Sequence, residues 1–196
     1  MRYSFLTLIY LAVCKIRGFF LFKNARIIRF PIDVRGKSFI RVNKGFTTGK
    51  GCRIEAYPIG DKEVLFFGDN FQMNDYVHIT AMESVKIGNN VLFASKIYVS
   101  DCSHGSYSGN DQDSSPLSIP HERKLFSKPV CIEDNVWIGE FVSVLPGVTI
   151  GKGTIVGANS VVSKSLPAFV IAVGSPAIPI KKYNFETQQW EKIDRI

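Results

Sequence analysis

The sequence predicts an all-β chain wound into a three-sided parallel prism of about five coils, and three observations predict it. Aliphatic residues recur every six positions, at Ile132, Ile138, Val144, Ile150, Val156 and Val162. The fifth place of each hexad holds Val136, Val142, Val148, Thr154, Ser160 and Leu166, and glycine follows the aliphatic at Gly139, Gly151 and Gly157. The period returns upstream at Phe67, Met73 and Ile79 and, after two extra residues, at Ile87, Phe93 and Val99. An α-helix cannot keep a six-residue repeat on one face, and plain strand alternation does not call for glycine at fixed offsets. A hexad fits one flat side of a triangular coil, so three hexads close a coil of eighteen residues. No single coil buries its own inward residues, which is why several must stack.

Taken from the N-terminus, the 196 residues suffice for one domain with a sizeable core. They divide into an N-terminal segment (1–35), a repeat domain (36–182) and a polar tail (183–196) with helical potential. The first segment is apolar over residues 5–13 and again over 18–22, with Lys15, Arg17 and Lys23 between and after. That is short of the roughly 20 uncharged residues a membrane span needs, so it reads as a helix lying on a membrane surface or packed on the body. Residues 1–50 carry eleven Lys/Arg against one acid, Asp33, whereas 51–196 carry thirteen against sixteen. A basic charge set beside apolar residues suits an anionic membrane surface better than a nucleic acid, whose binders carry the charge on the folded module. The four cysteines, Cys14, Cys52, Cys102 and Cys131, fit no disulfide or metal spacing, which points to reduced thiols in the cytoplasm. A weaker set, Ile40, Phe46 and Cys52, marks coil one over about 40–57, followed by a loop at 58–66. Coil two covers 67–86, coil three starts at 87, and coils four and five cover 132–149 and 150–167. The third coil is interrupted after Val99 by an extruded loop at about 100–131, of the length that often serves function.

The run Pro129-Val130-Cys131-Ile132-Glu133-Asp134-Asn135-Val136-Trp137-Ile138-Gly139 resembles the hexapeptide-repeat acetyltransferases. So do Pro146-Gly147-Val148-Thr149-Ile150-Gly151, Gly157-Ala158-Asn159-Ser160-Val161-Val162 and Gly174-Ser175-Pro176-Ala177. The loop at His104-Gly105-Ser106-Tyr107-Ser108-Gly109 and Ser114-Ser115-Pro116 is similar to members that acetylate bacterial lipopolysaccharide O-antigen. The resemblance implies a left-handed coil, against the usual right-handed crossover rule. It also implies a homotrimer with active sites between subunits, acetyl-CoA as co-substrate with no metal, and a saccharide acceptor, free or lipid-linked. The place would be the cytoplasm, with peripheral attachment at the inner face of the bacterial cytoplasmic membrane. Residues 1–35 depart from the family's sugar acetyltransferases, which carry an N-terminal helical cap with an acceptor-binding Asp.

By resemblance, His104 in Asp101-Cys102-Ser103-His104-Gly105 stands where the family has its catalytic base, thirty residues after Asn74, which matches the residue that orients the acceptor. A sugar hydroxyl is a poor nucleophile until its proton is taken, and imidazole as a group titrates near neutrality. The resemblance puts Trp137 at the wall of the coenzyme cleft and the pantetheine arm near Gly139, Ala158 and Ser163. It puts Lys164 and Lys181, with Lys182 adjoining, at the phosphates. Cys102 invites a covalent acyl-enzyme reading, but a small thiol at a turn is the better one. His78 and His121 read as structural. Rival readings of the same fold are a γ-type carbonic anhydrase, whose zinc needs three His, a non-catalytic β-helix scaffold, and transfer to an amine or of a longer acyl chain.

Overall fold

A computed structural model describes residues 3–193. Met1 and Arg2 of the N-terminal segment and residues 194–196 of the tail lie outside the described residues. One helix, Phe5–Leu21, precedes an all-sheet body whose parallel strands form three sheets. The chain visits the three sheets in turn, so each sheet is one face of a three-sided prism. The inward column of the first face is Ile28, Thr48, Met73, Phe93, Ile138 and Val156. That of the second is Val34, Ile54, Ile79, Val99, Val144 and Val162. The third runs Val42, Phe67, Ile87, Ile132 and Ile150, with Leu166 bridged to Ile150.

All six aliphatics of the 132–162 repeat and all six fifth-place residues are buried. The count of coils is corrected from about five to six, because strands at Ile27–Ile28 and Ile32–Arg35 already belong to the prism. The sheets therefore begin before residue 36. The weaker set is also re-registered: Phe46 and Cys52 are corner residues, while Val42, Thr48 and Ile54 take the inward places. A threonine at the buried position of Thr48 masks the aliphatic pattern there.

The lower layers are filled by aromatic rings and the upper ones by Val and Ile. Phe46, Phe67, Phe71 and Phe93 are fully buried, with centroid separations of 4.9 Å for Phe46–Phe67 and for Phe71–Phe93. Burying one such ring contributes roughly 1.5–3 kcal/mol. Asparagines turn the edge between the third and first faces. Asn70, Asn90 and Asn135 have φ of 57°, 55° and 59°, a left-handed conformation that asparagine tolerates better than most residues. The Asn70 amide also donates to the Asn90 side-chain oxygen at 3.1 Å.

Departures from the step of six fall on one edge. From first face to second, and from third to first, inward residues are always six apart. From second to third the first four steps are 34→42, 54→67, 79→87 and 99→132, the next, 144→150, is six, and the last, 162→166, is two residues short. The long loop is thus the largest of four insertions stacked along this second edge.

The described part of the tail, to residue 193, is not helical. Ile178–Asn184 turns back antiparallel on Val170–Val173, and Gln189–Lys192 pairs antiparallel with it in turn, extending the first face. Tyr183 and Trp190 stand opposite each other at 5.2 Å, edge to face, a cross-strand aromatic pair of the kind that stabilises a hairpin.

Candidate active site

His104 ends a two-stranded arm that leaves the prism at the second edge. Cys102–His104 pairs antiparallel with Leu125–Ser127, placing His104 opposite Leu125. The root of the arm is held by Asp101, which is 0% exposed. Its carboxylate accepts from the backbone N–H groups of Met82, Glu83 and Ser84 at 2.8, 2.8 and 2.7 Å. Burial pushes this carboxyl up from its usual range, and the three donors pull it part of the way back. The carbonyl of Asp101 also accepts from the Lys128 N–H at 2.8 Å, tying the two ends of the excursion together.

Past the root, the loop is braced from within. The Tyr107 hydroxyl donates to the His104 carbonyl at 2.6 Å, and the Arg123 guanidinium donates to the Tyr107 hydroxyl at 2.8 Å. Asp113 accepts from the Ser108 and Gly109 N–H groups at 2.7 and 2.8 Å. The backbone of His104 is therefore gripped while its side chain stays exposed, with no hydrogen-bond partner for the imidazole among the described residues. Sequence reasoning missed Asp101, Tyr107 and Arg123. An acid immediately before the excursion was the available signal for the first.

Asn74 does not sit beside His104. It follows the first-face strand Gln72–Met73, at the edge between the first and second faces. Its N–H donates to Phe93 O at 3.1 Å, and its side chain is exposed. Above it, one layer at a time, stand Ala94, Gly139 and Gly157, with Ala158 next in the chain. The result is an edge poor in side-chain bulk running away from Asn74. Gly139 has a packing reason of its own, because a Cβ there would meet Ala158 N at 2.7 Å and Val156 O at 3.0 Å. Trp137 lies outward on the first face and is 49% exposed. It shares a column with Ile155, Ile171 and, by antiparallel register, Lys181.

Ser163 and Lys164 belong to the other group. They follow Val161–Val162 of the second face, stacked one layer over Leu145 and Pro146 and two over Ser100 and Asp101, on the edge that carries the arm. The expected site residues are thus split within one chain. Asn74, Trp137, Gly139, Ala158 and Lys181 lie on the first face and its edge, whereas His104, Ser163 and Lys164 lie on the second edge. Lys182 borders an apolar cleft of about 610 Å³ with Pro167, Val170 and Ile178.

The remaining candidates fall to other roles. Burial pushes the half-buried Cys102 thiol up, which disfavours the thiolate an acyl carrier needs. His121 is exposed beside Glu122. Among the described residues no three His, Cys, Asp or Glu side chains gather to hold a metal, so the three-His zinc reading has no site within one chain.

His78 belongs to a charged cluster on the second face. Its Nε2 lies 2.7 Å from Glu55, which also receives bonds from Arg35 at 2.9 Å, Arg53 at 2.8 Å and Tyr57 at 2.8 Å. Burial pushes the Glu55 carboxyl up, but bonds from His78, Tyr57, Arg53 and Thr80 outweigh it and hold the group at about 2. A folded-state value below the usual 4.5 means the ionised cluster stabilises the fold fully above about pH 4.5. That stability is lost as pH falls toward 2. At about 1.4 kcal/mol per unit the effect is on the order of 3 kcal/mol. Acid unfolding of Glu55→Gln is expected to start from lower stability and to be flatter across this window, and an unchanged acid profile would refute the assignment.

Comparison with known proteins identifies the family of this fold. The family described as bacterial transferase hexapeptide (six repeats) matches residues 132–164, within the uppermost three layers. A protein of Escherichia coli strain K12, provisionally named lipopolysaccharide biosynthesis O-acetyl transferase WbbJ, is 50% identical over 171 residues, covering 87% of this chain and 86% of its own. A galactoside acetyltransferase solved with coenzyme A superposes with a TM-score of 0.55 at 30% identity, over 76% of this chain and 74% of that one. An N-acyltransferase of Bacillus cereus, solved with dTDP-4-amino-4,6-dideoxyglucose and coenzyme A, shares the fold with a TM-score of 0.67 at 22% identity, over 84% of each chain. Half of all aligned residues agree with a relative across nearly the whole of both chains, and the prism, its hexads and its protruding arm are all in place: the chain belongs to the hexapeptide-repeat acetyltransferases.

Proposed function

We propose that the protein is an acetyl-CoA-dependent O-acetyltransferase that acts on a sugar hydroxyl of lipopolysaccharide O-antigen or a related surface polysaccharide in the bacterial cytoplasm. Three left-handed prisms associate as a homotrimer, and His104 of one subunit serves as general base against the Asn74 edge of the next. The observation that carries this reading is the split itself. One prism holds its histidine arm on one edge and its asparagine on another, so a complete site needs a neighbour. The first face and its edge also expose Tyr76, Leu92, Trp137 and Phe141, apolar surface of the kind that subunit contacts cover. The 50% identical relative supports the acceptor class through its name, and the coenzyme A held by the galactoside acetyltransferase supports the donor.

In this site His104 takes the proton of the acceptor hydroxyl as the oxygen attacks the thioester carbonyl carbon. Asn74 orients the acceptor, and backbone N–H groups stabilise the tetrahedral oxyanion. His104 then returns the proton to the departing thiolate as the C–S bond breaks, which balances the transfer. Small residues from Ala94 to Ala158 leave a slot for the thin pantetheine arm beside Trp137. Lys164 and Lys181 meet the phosphates as point charges.

Mixing two inactive variants tests the shared site. His104→Ala and Asn74→Ala are each expected to lose most transfer. Trimers re-formed from equal amounts of both should regain activity in about a quarter of their sites, those pairing an intact edge with an intact arm. Mixtures no more active than their parts would mean that one chain supplies both residues to a site, and the shared site would be refuted.

A further inference from the structure

The N-terminal helix turns its apolar side to solvent. At about 100° per residue, Thr7, Leu11, Cys14, Gly18 and Leu21 share the side facing the prism, and all are buried or half-buried. Gly18 lies so close to the first inward residue that a Cβ there would stand 3.2 Å from that of Ile28. The opposite side carries Phe5, Ile9, Ile16 and Phe20, exposed at 75, 46, 62 and 76%. Lys15 and Arg17 stand at its two margins. The Lys15 ammonium donates to Ala25 O at 3.1 Å, and the Arg17 guanidinium covers the Phe30 ring at 4.0 Å. A helix on the surface of a globular protein normally shows solvent its polar side. A contiguous apolar strip rimmed by charge marks a contact surface.

Charge selects the occupant. The first fifty residues carry eleven cations against one acid. Six of those cations bond within the protein: Lys15, Arg29 and Lys37 to backbone carbonyls, Arg35 and Arg41 in ion pairs, and Arg26 to the Asn70 side chain. Lys23, Lys44 and Lys50 are exposed on the same end of the prism. A second copy of this face would bring cations against cations, while an anionic lipid surface matches both the apolar strip and its basic margin. Among the described residues no helix is long and apolar enough to cross a membrane.

We propose that this helix docks the protein on an anionic phospholipid bilayer, lying flat in the interface. Phe5, Ile9, Ile16 and Phe20 enter the acyl boundary, and the lysines at this end meet the headgroups. Apolar area and basic charge are the two signals that together give stable peripheral binding. The inference does not depend on the acceptor proposed above, because vesicle binding is read without turnover.

The test is sedimentation of the full chain with vesicles of phosphatidylcholine, with or without phosphatidylglycerol. Binding is expected with phosphatidylglycerol, should weaken with added salt, and should be much weaker on phosphatidylcholine alone. Ile16→Glu combined with Phe20→Glu should lower binding at least tenfold with thermal unfolding unchanged, since both side chains are exposed. Lys23→Gln and Lys44→Gln should each lower it by up to roughly fivefold. No binding by the unaltered chain, equal binding to both vesicles, or an unaffected double variant would overturn the proposal. A double variant that breaks up an oligomer of a chain that never bound vesicles would assign the face to contact between copies instead.

Discussion

Replacing His104 with alanine is expected to lower acetyl transfer by about 10²–10⁴-fold, the range that a positioned general base contributes. Folding should be unaffected. The imidazole is exposed and makes no side-chain hydrogen bond among the described residues, and surface changes of that kind usually stay within about 0.5 kcal/mol. The arm is held through backbone and neighbours instead, by pairing with Leu125–Ser127 and by the Tyr107 and Arg123 bonds. Coenzyme A binding, measured by calorimetry, should also persist. The residues proposed to hold the pantetheine arm make no contact that depends on the imidazole. A variant that turns over at the native rate would remove His104 from the mechanism. One that fails to bind coenzyme A would show that the histidine shapes the cleft and does more than move a proton.

The second large effect is expected at a residue that touches no substrate. Asp101→Ala leaves three backbone N–H groups without their acceptor, those of Met82, Glu83 and Ser84. Each unsatisfied buried donor costs roughly 1–3 kcal/mol. Water can reach part of this turn, since Glu83 and Ser84 are half-buried, so the total should be about 3–5 kcal/mol. Asp101→Asn should fall between, because its amide keeps one acceptor and turns a second donor toward the N–H groups. Denaturant unfolding measures the stability loss. Activity should fall further than the unfolded fraction accounts for, because His104 ends the strand that begins directly after Asp101. Native stability in the alanine variant would mean that the corner turn does not rely on the carboxylate.

The fold was most legible where nothing interrupts it. From Ile132 to Val162 the step of six never varies, and every inward and corner position predicted there is buried. Further upstream the same steps are present, but Thr48 occupies an inward place, phenylalanines replace the branched aliphatics, and four insertions reset the count. The coil that starts at Ile28 was therefore hidden behind Pro31 and a stretch rich in arginine. The C-terminal hairpin has no period to find, because its strands run antiparallel and pair through single contacts such as Tyr183 with Trp190. For the site, the roles proposed for His104 and Asn74 came only from the resemblance of their surroundings, and their placement on two edges could not be read from the sequence. Which edge a residue occupies depends on register, and the insertions had blurred that register before residue 100.

Stacking all four insertions on one edge has a consequence for how such an enzyme changes its substrate. Extra chain at the second edge is looped outward between the same two neighbours, and doubling its length costs about 0.6 kcal/mol. At the other two edges no step between inward residues departs from six. The excursion between Asp101 and Lys128, clamped at 2.8 Å across its base, thus behaves as an interchangeable cartridge. Its inner part can be rewritten while the three-sided scaffold stays as it is.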